Sequence, residues 1–389
     1  MTDFDFRAKT KVSYGVNRVD RVAEDVASLG GGGRVVLVTD PGLVQLGVAD
    51  RVAGALSKGG VDAVVFSAIQ SDPSGESIDR AADVVRETGA RCVVGLGGGS
   101  AMDVAKLASL VAGADRPAEH YALMAHPFPA KRIASVMIPT TSGTGAEVTS
   151  TVVFSNREKR KVWGWDPELA PDVALLDPTL TAALPPHLTA ATGLDALIHA
   201  MEAVSGKRGH AMIDAVGLQA IRLIAANLLR AVERPADLEA RGRLSVGSML
   251  AGLAIEQGGT GIAHCIGHAL GTLARVHHGR AVAIALYRAI EWNVPGNVAA
   301  YADIARAMGA KGAFGASEEA AAYAVVDAYR ELAVASGLRL SLSEDGLTEA
   351  DAPRFAALMA SEENAPMRNN NARYADEDDL LRFAKLMLA

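Results

Sequence analysis

Cysteine and aromatic residues are scarce in this chain, and basic residues are outnumbered by acidic ones. The two cysteines among 389 residues, Cys92 and Cys265, cannot build a disulfide framework, which makes a reducing compartment the simpler setting. Lys and Arg number 38 against 45 Asp and Glu, leaving a net charge of -7 and a pI near 5.8. That balance argues against a nucleic-acid or anionic-membrane surface and favours small molecules as partners. No apolar run reaches the roughly 18 uninterrupted residues of a membrane span, and the opening MTDFDFRAKTK lacks the apolar segment of an export signal. These absences predict a cytoplasmic protein with neither membrane nor nucleic-acid contacts. What remains is globular composition, half hydrophobic (50%) and about a fifth charged (21%), on a length that points to two domains.

Strand signals are confined to the first half. Runs rich in Val and Ile appear at RVVLVTD (34–40), DAVVFSAI (62–69), RCVVGLGGG (91–99), RIASVMIPTT (132–141) and DVALLDP (172–178), with helical stretches such as 78–88 and 102–112 between them. That alternation predicts a mostly parallel sheet covered by helices. Beyond Pro178 the texture becomes Ala- and Leu-rich with helical period in nine segments, beginning with 189–204 and 210–231 and ending with 350–361 and 377–388. The expected organisation is an α/β domain over 1–180 and an all-helical domain over 181–389, divided in the turn-rich DPTLTAALPPH.

The GxGxxG fingerprint is missing, but a related device stands in its place. GLGGGSAMDVAK (95–106) leaves a predicted strand and opens a predicted helix, so Gly97, Gly98 and Gly99 let backbone approach a bulky anion while free helix-start amides favour phosphate. A second strand exit, PTTSGTGAE (139–147), adds hydroxyls at what should be the same carboxyl edge of the sheet. Asp40 ends the strand RVVLVTD. It is either an acceptor for an adenosine ribose, which would favour NAD over NADP, or a turn-forming residue before Pro41.

Two pairs of metal-ligand residue types stand four residues apart on predicted helices: Asp195 and His199 in TGLDALIHA, and His264 and His268 in GIAHCIGHALG. That spacing puts each pair on one helix face. His277-His278-Gly279 adds a third signal. One carboxylate with several imidazoles suits a divalent transition metal rather than calcium or magnesium. Glu202 continues the Asp195 face and reads as solvated or salt-bridged; Cys265 reads as core, and Trp163 and Trp165 as packing residues.

These motifs resemble the iron-containing, or group III, alcohol dehydrogenases over nearly the whole chain, from Phe4-Asp5-Phe6 through GGGSAMDVAK, PTTSGTGAE, TGLDALIHA, GIAHCIGHALG and HHG. The resemblance implies the architecture those enzymes share with dehydroquinate synthases: an N-terminal dinucleotide-binding α/β domain, an all-helical C-terminal domain and a metal in the cleft between them. It implies Asp195, His199, His264 and His278 as metal ligands, and His268 as a nearby proton relay. It further implies Gly97, Gly98, Gly99, Ser100 and Asp103 as the pyrophosphate turn, Thr140, Thr141 and Thr144 as a second cofactor loop, and Asp40 as the ribose acid. The cofactors would be NAD, with NADP as alternative, and Fe(II), with Zn(II) as rival. The substrate would be a small alcohol or aldehyde, and the assembly a homodimer or larger. A keto acid, semialdehyde or polyol is the alternative substrate. A lyase is disfavoured, because the stretches 192–200 and 260–280 offer only Arg275 and Arg280 to a phosphate. Val282, Tyr287 and the altered NAPMRNNNAR (364–373) depart from the family pattern and bear on substrate range.

Overall fold

The computed structural model describes residues 3–131 and 133–389, so the start of the expected fourth strand, at Arg132, lies outside the described residues. The chain divides into two compact units. One is α/β and comprises residues 7–141 and 145–183. Its order is β1 (Lys11–Tyr14), α1 (Val22–Ser28), β2 (Arg34–Val38), α2 (Pro41–Gln45), α3 (Val48–Lys58), β3 (Asp62–Phe66), α4 (Gly75–Thr88), β4 (Cys92–Gly97), α5 (Gly99–Val111), β5 (Ala134–Pro139), β6 (Thr151–Ser155), β7 (Lys161–Trp165) and β8 (Val173–Leu176).

Six strands form one sheet in the order β1-β8-β5-β4-β2-β3, every pairing parallel. The central strands are buried on both faces, which is why their sequences read as continuous apolar runs. Alternation survives within them. Val36 and Val38 of β2 join the core on one face, while Val35 and Leu37 join the core on the other. β6 and β7 pair antiparallel as a separate hairpin carrying Trp163 and Trp165.

The sheet order reverses at β2. The chain runs outward from β2 to β3 and then returns to β4 on the other side. The carboxyl ends of β2 and β4 therefore flank a topological switch point, where open α/β sheets bind ligands. Asp40 follows β2, and Gly97 ends β4.

The other unit is helical: residues 3–6, 142–144 and 184–389. It contains α6 (Pro186–Ser205), α7 (Ala211–Glu233), α8 (Leu238–Gly258), α9 (Ile262–Leu273), α10 (His278–Asn293), α11 (Val298–Met308), α12 (Glu318–Ala335), α13 (Ala352–Ala360), α14 (Ala365–Asn370) and α15 (Glu377–Leu388). α6 is buried almost throughout from Thr189 onward, the signature of a central helix with no solvated face. α7 and α8 pack on it, with Gly193 admitting Leu228 of α7. α7 alone among the described helices is long and apolar enough to pass a membrane-span test, and it does so as a half-buried helix packed on α6 and α8.

Candidate metal centre and cofactor turn

α6 carries Asp195 and His199 one turn apart, and both are buried. His264 comes from the first turn of α9, and His278 from the first residue of α10. The ligand atoms of Asp195, His199 and His264 all lie within 4.8 Å of one another. Asp195 Oδ1 is 3.5 Å from His264 Nε2 and 3.6 Å from His278 Nε2. The His199 and His264 rings stack with centroids 4.4 Å apart. His268, half-buried, has its ring 5.2 Å from that of His278. All five expected side chains thus converge, while His277 stays exposed at the start of α10.

Glycines explain how the helices come so close. A Cβ on Gly279 would collide with the Ala191 carbonyl of α6, so only glycine lets α10 begin beside Asp195. A Cβ on Gly267 would meet Val282 at 2.5 Å, the equivalent constraint between α9 and α10. Val282 is a fully buried packing residue at that crossing.

Backbone and side-chain acceptors fix two of the imidazoles. His199 Nδ1–H donates to the Gly143 carbonyl at 3.3 Å, and His264 Nδ1–H donates to Glu202 Oε2 at 2.6 Å. Each assignment follows because the partner can only accept. The Nε2 lone pairs are left for the cluster. Gly143 does not stand out in the sequence, and Glu202 does so only as a continuation of the Asp195 face. Of the two expectations for Glu202, solvated or salt-bridged, the second describes it: it is 2% exposed, is paired with His264 and also accepts from the amides of Gly261 and Ala263.

Asp195 Oδ1 and His264 Nε2 are buried and have no hydrogen-bond partner. A carboxylate oxygen and an imidazole nitrogen facing each other across 3.5 Å call for a positive charge, supplied either by a cation between them or by a proton on the ring: burial alone would lower the His264 imidazole, but the Glu202 and Asp195 carboxylates push it up to about 9. Burial alone would raise the Asp195 carboxyl, but the surrounding imidazoles, His199 first, hold it well below the usual carboxylate range. Burial pushes the His199 imidazole down to about 4, leaving it neutral and able to ligate. The donor set therefore fits a divalent transition metal.

In the α/β unit, Gly97 has φ +150°, and a Cβ there would lie 2.8 Å from that of Ala101. Gly98 precedes α5, whose N-terminus no side chain caps, the condition in which helix-start amides suit an anion. Thr140 donates its amide to the Gly97 carbonyl at 2.9 Å, and the Thr141 side chain lies against Gly98. Thr144, by contrast, belongs to the helical unit. Asp40 takes the turn-forming alternative, and its second oxygen lies beside the glycine turn. Oδ1 caps α2 by accepting from the Leu43 amide at 3.1 Å, and Oδ2 is directed at Gly97. Asp103 is turned inward, accepting from the Val153 amide at 3.0 Å and lying 3.2 Å from the fully buried Lys106 ammonium.

A glycine turn at the switch point of a parallel sheet and a buried carboxylate–imidazole cluster are the equipment of a metal-dependent dehydrogenase. The family model described as iron-containing alcohol dehydrogenase matches residues 9–178, and its C-terminal counterpart matches 189–386. The chain belongs to the iron-containing alcohol dehydrogenase family, whose members are NAD-linked oxidoreductases. It is 33% identical to a sulfoacetaldehyde reductase of Bilophila wadsworthia over 95% of both chains. Its fold matches a crystal structure of 1,3-propanediol oxidoreductase with a TM-score of 0.92 and 32% identity, covering 99% of this chain and 100% of that one. A sulfoacetaldehyde reductase from Bifidobacterium kashiwanohense in complex with NAD+ matches with a TM-score of 0.90 and 28% identity over 100% of both chains.

Proposed function

We propose that this enzyme interconverts a small alcohol and its aldehyde with NAD(H), using a divalent metal, Fe(II) before Zn(II), held by Asp195, His199, His264 and His278. The observation that carries the ligand set is the pair of buried, unpartnered atoms Asp195 Oδ1 and His264 Nε2 facing each other. When bound, the metal would lower the alcohol pKa or polarise the carbonyl, and the dinucleotide would exchange hydride. The protein's own residues align these groups. Glu202 and Gly143 orient two imidazoles, and His268, half-buried beside His278, would carry the substrate proton towards solvent.

On the same reading, residues 1–180 bind NAD. Gly97, Gly98, Gly99 and Ser100 take the pyrophosphate, Asp103 braces that turn against β6, Thr140, Thr141 and Thr144 form the second loop, and Asp40 takes the ribose. Residues 181–389 supply the metal and substrate half. Two buried free cysteines support a cytoplasmic setting, and the family resemblance supports a homodimer or larger assembly.

The test is NADH consumption across short aldehydes and keto acids, by metal-free protein and with Fe(II) or Zn(II). Turnover of an aldehyde only on metal addition is expected. In His264→Ala, metal and turnover should vanish together while the fold persists; full activity in that variant would remove His264 from the ligand set.

A further inference from the structure

Glu202 sits two turns beyond Asp195 on α6 and serves three donors with two oxygens. Oε2 accepts from the Gly261 amide at 2.8 Å and from His264 Nδ1–H at 2.6 Å, and Oε1 accepts from the Ala263 amide at 2.6 Å. The amide between them, that of Ile262, donates to Asn371 Oδ1 at 3.2 Å. These are the amides that open α9, which the helix itself leaves unpartnered and whose positive dipole end favours a carboxylate. A Cβ on Gly261 would fall 2.8 Å from Asn371 Oδ1 and 3.1 Å from Glu202 Oε1, so the helix start is shaped around these two side chains.

We propose that Glu202 is a positioning residue for the reaction: by accepting Nδ1–H of His264 while gripping the first turn of α9, it fixes both the tautomer and the placement of that imidazole, so that Nε2 faces Asp195 as a metal ligand. This rests on the reading of the cluster as a metal site. The chemistry requires a group that only accepts. Gln at this position must turn its NH2 either towards the Ala263 amide, leaving a buried donor unpaired, or towards Gly261 and the ring. In the second case His264 is driven to carry its proton on Nε2, aimed at Asp195, where it cannot bind a cation. Even with the ring unchanged, an imidazole bonded to a neutral amide is a weaker ligand than one bonded to a carboxylate.

The experiment measures Zn(II) affinity by chelator competition in wild type, Glu202→Gln and Asn371→Ala, together with the His264 Nδ1–H resonance in Zn-loaded, [15N]histidine-labelled protein. Wild type should show a solvent-protected, strongly downfield ring proton. Glu202→Gln should bind Zn(II) roughly 10- to 100-fold more weakly, with that proton shifted upfield or lost. Asn371→Ala removes a cap of α9 without touching the ring, and should keep the proton and most of the affinity. Equal loss in both variants would reduce Glu202 to a helix cap and overturn the proposal, as would wild-type affinity in Glu202→Gln. If Glu202→Gln does not fold, the wild-type resonance decides, since its absence from the zinc form sinks the assignment. Failure of the wild type to bind any metal would instead overturn the metal reading itself.

Discussion

Gly279 of α10 rests directly against the Ala191 carbonyl of α6, in a space that admits no Cβ, and this contact brings His278 to within 3.6 Å of Asp195. Gly279→Ala must push α10 off α6. The expected cost is about 1–3 kcal/mol of stability, together with a loss of bound metal larger than the stability change alone produces. Denaturant unfolding and metal content of the purified variant measure the two effects; a variant that keeps both would show that α10 can yield here without moving His278.

Asp40 divides its two oxygens between the α2 cap and the glycine turn, and two substitutions separate these roles. Asp40→Asn keeps a capping oxygen and drops the charge. Asp40→Ala drops both, and should lose a further 0.5–2 kcal/mol or so of stability. If Oδ2 meets the adenosine ribose, kcat/KM with NADPH relative to NADH rises in both variants. An unchanged ratio in both removes Asp40 from the cofactor site and leaves it a cap.

Glu147 ends the second loop and is fully enclosed, and burial pushes its carboxyl up to about 7. The folded protein therefore holds a proton there that the unfolded chain releases near 4.5. With a raised folded value, its contribution to stability is full below about 4.5 and is lost as the pH climbs to about 7. Glu147→Gln mimics the neutral form at every pH. It should unfold at higher denaturant than wild type at pH 8, by up to about 3 kcal/mol, and the gap should close towards pH 5. A gap that does not change with pH would mean that Glu147 is ionised in the fold.

Local rhythm carried much of this protein in its sequence. Apolar runs marked the five inner and adjoining strands, and four-residue spacing paired Asp195 with His199 and His264 with His268, because strand burial and helix periodicity act over a few residues. β1 escaped notice because it is a four-residue edge strand with hardly a buried side chain. α14 was hidden by its proline and asparagines, weak helix formers held here by tertiary contacts. What spacing cannot show is which distant group completes a local one. Gly143 reaches His199 across 56 positions, and Glu202 reaches His264 across 62. Glu202 was visible on the correct helix face, but the choice between a solvated and a salt-bridged group is made only by the arrival of α9 with His264.

The asparagine run 369–371, too short to register as a compositional feature, ties α8 to α9. Asn370 donates to the Gly258 and Thr260 carbonyls, and Asn371 accepts from the Ile262 amide. Asn371 follows Ile262 by 109 positions, so on the ribosome α9 emerges long before the group that finishes its first turn. Order of synthesis and order of assembly therefore differ. The last of the side-chain acceptors on the first turn of α9 is thus in place only once residue 371 has been made, although the acceptor of the His264 ring, Glu202, precedes it in the chain.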